Sequence, residues 1–193
     1  MPTDYAINDV FLTLREQCRW LDACYTTFCA LYESGEERKT LMQNTAHAFF
    51  YEHNRVLQQD FILQACKLTD PATTGKKRNL TFLQLNTMLT SQGLMTDEIA
   101  GISENLAKYR ELVVDARHWI ISHLDLDTAM AGDDVGAHEK ADLTGFLESM
   151  YRYTDAVGVV LGIGPLDYRG TSGAGDAHDL VKHLQNSLRN PTQ

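Results

Sequence analysis

Apolar residues recur along most of the chain in alternating steps of three and four. The first block is Phe11, Leu14, Cys18, Leu21, Tyr25, Phe28 and Tyr32. That spacing places one apolar stripe on one face of a helix. Asn8 is placed to cap its start, and Gly35 to end it. A second long helix is predicted over Glu36–Leu68, with Met42, Ala46, Phe49, Val56 and Leu63 facing inward and polar Asp60 on the same stripe. Thr69-Asp70-Pro71 stops it, because proline disfavours helix at the residue before it. A loop over Thr69–Asn79 leads to a shorter helix, Leu80–Ser91, stopped by Gly93. Thr96, with Asp97 and Glu98 behind it, then reads as a cap with acidic first-turn residues.

The helix that Thr96 opens carries Ile99, Ile102, Leu106, Tyr109, Val113, Ala116, Ile120 and Leu124 on its inward face. Ala131-Gly132-Asp133-Asp134 breaks the pattern. Another helix is predicted over His138–Leu161, ending at Gly162, Gly164 and Pro165. Asp176 should cap a last short helix running to Leu188. No alternating segment of useful length, internal repeat or low-complexity tract occurs. The expected fold is all-α: an antiparallel bundle of about six helices, four of them long. Residues 1–165 should form the bundle. Residues 166–193 should supply a glycine-rich connector and a short helix packed on the same domain.

Composition narrows the classes. The chain has 193 residues, enough for one domain with a substantial core. Its 17 basic and 26 acidic side chains give a net charge of −9, which excludes the broad basic surface of a nucleic-acid coat protein. A local basic pocket for a phosphate remains compatible. The run Ala156–Leu166 is too short to span a bilayer. The polar, acidic start Met1-Pro2-Thr3-Asp4 has no apolar region after it, so a cytoplasmic protein is expected. Cys18, Cys24, Cys29 and Cys66 form no C-x-x-C and read as idle thiols of a reducing compartment.

Most site signatures are missing. There is no P-loop, G-x-G-x-x-G, H-E-x-x-H or G-x-S-x-G. The stretch 170–175 (GTSGAG) lacks the lysine and preceding strand of a P-loop and reads better as a connector than as a phosphate cradle. His47 and His53 lie about 120° apart around a helix and do not converge, and His178 and His183 fare little better. No metal site and no cofactor is expected. The informative stretch is Tyr109 to Asp127. His123 lies seven residues after Ala116, on the inward stripe. Arg117 sits at the stripe's edge, seven residues after Arg110. Arginine and histidine are seldom placed beside an apolar seam without a partner or a purpose.

Arg117–His118–x4–His123 resembles the R-x(4–6)-H motif of HEPN domains (higher eukaryotes and prokaryotes nucleotide-binding). Ser122-His123-Leu124-Asp125 is similar to that family's frequent A-H-x-D, with serine in place of alanine. The stretches Asp60-Phe61-Ile62-Leu63, Lys67 to Ala72 and Lys77-Arg78-Asn79-Leu80 resemble the abortive-infection AbiU-type branch. The likeness covers roughly residues 54–127, and the helical layout extends it. It implies a metal-independent ribonuclease in which the RNA's own 2′-hydroxyl attacks, leaving a 2′,3′-cyclic phosphate and a 5′-hydroxyl.

Arg117 and His123 are then the catalytic candidates. An imidazole titrating near neutrality can move the proton, and a guanidinium can steady the charge of the transition state. The two lie about 120° apart on one helix, so one copy cannot easily aim both at one phosphate. The family's pairing of this helix between two protomers implies a homodimer with a shared cleft. His118 either supports the site or belongs to a packing or solvent-facing turn. Asp125 either orients His123 or is a helix-end carboxylate. Lys76, Lys77 and Arg78 form the dense basic run, either an RNA contact or a solvated loop. The resemblance also admits an antitoxin or defence partner. Two other readings stay open: a non-catalytic HEPN module that dimerises or binds a nucleotide or protein, and a structural bundle in which Arg117 pairs with Asp60.

Overall fold

The computed structural model describes residues 5–118, 125–131, 136–165, 168–169 and 173–189. Among the described residues, seven helices and one minimal hairpin run in the order α1 (Ile7–Tyr32), α2 (Glu36–Thr69), β1 (Thr73–Thr74), β2 (Lys77–Arg78), α3 (Phe82–Ser91), α4 (Asp97–Ala116), α5 (Leu126–Ala131), α6 (Lys140–Val160) and α7 (Ala177–Arg189). The protein is an all-α bundle, as the three-four periodicity requires. Two compact units divide it. One comprises Met1–Arg19 with Ile62–Arg169, the other Trp20–Phe61 with Gly170–Gln193. The boundary falls inside α1 and α2.

In the first unit α4 packs along α6. Thr81 and Thr96 start α3 and α4 by accepting the amide hydrogens of Gln84 at 3.1 Å and Ile99 at 3.2 Å. Each satisfies a donor that the first helical turn leaves without an internal partner. The ring of Tyr109 on α4 stacks on Phe146 of α6 with centroids 4.6 Å apart. A chain of hydrogen bonds ties three helices together. Tyr153 donates its hydroxyl to Asn86 at 2.7 Å, and the Asn86 amide donates to Ser103 at 2.6 Å. Burial pushes the Tyr153 phenol well above its ordinary range, so it stays a donor. In the second unit Leu31, Leu41, Met42, Phe50 and Val181 form a separate small core.

Two details differ from the periodicity. The stripe of α1 holds as far as Leu21. Beyond it Cys24, Ala30 and Leu31 are buried, while Tyr25, Phe28 and Tyr32 are partly exposed. Tyr32 keeps its hydroxyl at the edge of the packing, 2.9 Å from Nδ1 of His53. In α2 the backbone leaves helical geometry at Ala46 (φ −159°, ψ 74°). The face after this kink is advanced by one residue. Phe50 is buried, and Phe49 and Val56 are 58% and 59% exposed. A residue count through the helix assumes one unbroken phase, and the kink breaks it.

The loop after α2 is tighter than expected. Thr73 pairs with Arg78 and Thr74 with Lys77. Asn79 closes the hairpin, its side-chain amide donating to the Pro71 carbonyl and to Thr74 Oγ1, both at 2.8 Å. At the far end of α6, the amides of Ile163 and Gly164 both return to the Gly158 carbonyl at 2.9 Å. A Cβ on Gly158 would lie 2.5 Å from the Gly164 carbonyl oxygen, whereas one on Gly145 would meet nothing within 4 Å. Gly158→Ala should therefore destabilise the fold by about 1–3 kcal/mol. Gly145→Ala on the same helix should be neutral or stabilising by up to about 1 kcal/mol. Thermal melts followed by circular dichroism separate the two, and equal melting temperatures would refute the close approach.

Candidate functional site

Thr69 ends α2, its hydroxyl bonded back to the Ala65 carbonyl at 2.8 Å. Pro71 cannot continue the helix, so Asp70 stands at the exit with its carboxylate directed at α4. Arg110 and Arg117 occupy one face of α4, two turns apart. Arg110 Nη2 donates to Asp70 Oδ1 at 2.9 Å, and Arg117 Nη1 donates to the same oxygen at 3.3 Å. The arginine side chains are 24% exposed and the carboxylate 17%. Water still reaches the cluster, so its interactions fall between surface and interior strength. The Nε atoms of both arginines are buried and meet no hydrogen-bond partner among the described residues.

Below the cluster lies Cys66. Burial pushes its thiol up to about 11, against the opposing pull of Arg110 and Arg117. Tyr109, also raised by burial, places its hydroxyl 2.9 Å from His138 Nε2, and His138 Nδ1 lies 2.8 Å from the Gly136 carbonyl. Gly136 (φ 81°) comes so close to α4 that a Cβ there would sit 2.5 Å from the Ala116 Cβ. The residues around 136–138 thus press on α4 immediately before Arg117. The Arg117 amide is shared between the carbonyls of Val113 and Val114, and the winding widens to a π-type turn over Arg117 and His118. Such turns re-aim side chains and recur at functional sites.

Of the residues expected to form the site, Arg117 lies in this cluster and His118 follows it on the exposed side. His123 lies outside the described residues, as does the expected continuation of the helix to Leu124. Asp125 starts α5, accepting the Thr128 amide hydrogen at 2.9 Å, and that bond holds its carboxyl below the usual range. Lys76, Lys77 and Arg78 are exposed on the hairpin, with the Arg78 guanidinium over the Tyr5 ring at 5.6 Å. The carboxylate that Arg117 meets is Asp70, which corrects the pairing with Asp60. Asp60 lies on the predicted stripe of the second helix. Asp70 carried a different signal, a carboxylate held at a helix exit by the following proline. At the N-terminus of α7, the amides of His178 and Asp179 bond to the Asp176 carboxylate at 2.8 and 3.1 Å. Those donors are spent on a side chain of the protein itself. Among the described residues no group of three or more His, Cys, Asp or Glu could hold a metal ion, and no helix is long and apolar enough to cross a membrane.

The described residues form an all-α bundle in which Arg117 directly follows the fourth helix, Asp97–Ala116. A family model for AbiU2 HEPN proteins matches residues 6–180, and the chain belongs to that family, of the abortive-infection type. No curated protein and no solved structure matches it.

Removing the shared carboxylate leaves two guanidiniums facing each other. Asp70→Ala should lower stability by about 1–3 kcal/mol, less than for a fully buried pair because water reaches the cluster. Urea denaturation measures it, and no loss in Asp70→Ala would mean that the bonds are idle. Cys66 gives a pH test. Its folded pKa of about 11 exceeds the ordinary 9.0, so its contribution is complete below pH 9 and is lost as the pH rises toward 11. Cys66→Ala should flatten the decline in stability across that window, and an unchanged slope would count against a buried thiol.

Proposed function

We propose that this protein is a ribonuclease of the abortive-infection type, cutting cellular RNA at a composite site between two copies of the chain. The observation that carries the reading is the convergence of Arg110 and Arg117 on one oxygen of Asp70. One carboxylate balances one guanidinium, and the cluster keeps a surplus positive charge. In a chain of net charge −9, that local surplus is where an anionic substrate would be held.

The reaction follows from the groups named. The 2′-oxygen of RNA attacks the neighbouring phosphorus, and the P–O5′ bond breaks. A 2′,3′-cyclic phosphate and a 5′-hydroxyl result. The 2′-hydroxyl gives up a proton and the departing 5′-oxygen gains one. The imidazole of His123 moves one of these two protons, taking the first or delivering the second, and water exchanges the other. The planar fork of Arg117 binds the phosphate and stabilises the added charge of the transition state. A two-fold homodimer supplies two such Arg–His pairs to one cleft, which overcomes their angular separation on a single helix. His118 and Asp125 would assist at its edge, and Lys76, Lys77 and Arg78 would guide the RNA strand. The site asks for no metal or cofactor. It acts in the cytoplasm, restrained by an antitoxin or coupled to a defence partner.

One observation favours a second reading. Arg117 already has a carboxylate partner, as it would in a non-catalytic HEPN module that dimerises or binds a nucleotide or protein. The experiment compares wild-type, Arg117→Ala and His123→Ala chains for RNA cleavage in vitro and for growth arrest on expression. The wild type should cut RNA to cyclic-phosphate ends, and each variant should lose about 100-fold or more. Intact RNA and unimpaired growth with the wild type would leave the binding module.

A further inference from the structure

Arg110 lies outside the R…H motif, yet the structure brings it to the same atom as Arg117. The bonds to Asp70 Oδ1 are 2.9 Å from Arg110 and 3.3 Å from Arg117, so the two bonded nitrogens stand within two hydrogen-bond lengths of each other. Each guanidinium carries five N–H donors. Among the described residues one from each is engaged, and both Nε atoms are buried without a partner. An ion pair that served packing alone would need one cation for this carboxylate. The second cation adds repulsion and desolvation that Asp70 only partly offsets.

A bound monoanion would bring the cluster to neutrality. Its chemistry is set by the two planar forks. They can each take a separate oxygen of one tetrahedral group, and a phosphodiester presents two non-bridging oxygens for that purpose. We propose that Arg110 is a second phosphate-binding residue of this site, converging with Arg117 on a single RNA phosphodiester while Asp70 orients both forks. The inference rests on the ribonuclease reading and deepens it. The transition state of phosphoryl transfer carries more negative charge than the bound diester, and two guanidiniums meet it where one would fall short.

The test uses the full-length chain carrying His123→Ala, so that RNA survives, titrated with fluorescein-labelled oligouridine across a salt series. Adding Arg110→Met should weaken binding about tenfold at low salt and lower the slope of log K against log salt by about 0.7, one phosphate contact on a single strand. Arg117→Met should do the same. Arg110→Lys should keep the slope, because the charge remains, and lose several-fold in affinity, because the fork does not. Arg110→Met leaves Asp70 paired with Arg117, so no carboxylate is orphaned. Circular dichroism checks the fold of each variant, and Arg110→Lys decides if Arg110→Met unfolds: affinity equal to the parent's would overturn the proposal. Parental slope and affinity in Arg110→Met, with loss in Arg117→Met, would make Arg110 a structural partner of Asp70 and leave the ribonuclease reading standing. No change from either arginine would overturn both.

Discussion

A single carboxylate oxygen holds the arginine cluster of this protein together. Asp70 sits where α2 stops, and Arg110 and Arg117 reach it from two turns of α4. Two guanidiniums on one helix face repel each other, and a carboxylate between them converts that repulsion into a fixed, oriented pair. The partial exposure of all three groups matters. A deeply buried cluster would have to be neutral to survive desolvation. A fully exposed one would be screened by salt and would orient nothing. Here the positive surplus is preserved and also held in place.

The precision of that cluster comes from parts that do no chemistry. Pro71 fixes where α2 ends, and Asn79 staples the hairpin that follows, so the chain around Asp70 has little freedom. Thr96 starts α4, and Tyr109 and Phe146 lock it against α6. Gly136 lets the chain before α6 touch the Ala116 methyl, beside the turn that carries Arg117. The partly buried bonds from Tyr153 to Asn86 and from Asn86 to Ser103 fix the relation of α3, α4 and α6, because slippage would leave polar groups short of partners. Helices fixed in this way hold the two guanidiniums in a defined relation to Asp70.

The acidic balance of the chain fits this design. A net charge of −9 discourages general adhesion to nucleic acid, so the proposed activity would need its attraction for a phosphate concentrated locally. The arginine pair is one local group of cations, and the exposed lysines and arginine of the hairpin, close behind Asp70 in sequence, are another. In the proposed ribonuclease, localised attraction in place of a broad basic face would limit idle contact with cellular RNA.

The sequence by itself determined the all-α class, most helix boundaries and the motif that follows from the fourth helix. These follow from local rules: apolar spacing of three and four, threonine caps, and proline and glycine stops. It also marked Arg117 as unusual, since a cation beside an apolar seam is costly without a partner. Only the tertiary structure decided which partner. Asp60 and Asp70 are both carboxylates on or beside α2, and choosing between them needs the direction in which that helix exits. The same limit hid the burial along α2, where the kink at Ala46 advanced the inward face and left Phe49 and Val56 outside. Arg110 was visible as a residue seven before Arg117, and its contact with Asp70 was not. Periodicity reports which face a side chain occupies, whereas the meeting of two cations at one oxygen depends on how separate helices are set against each other.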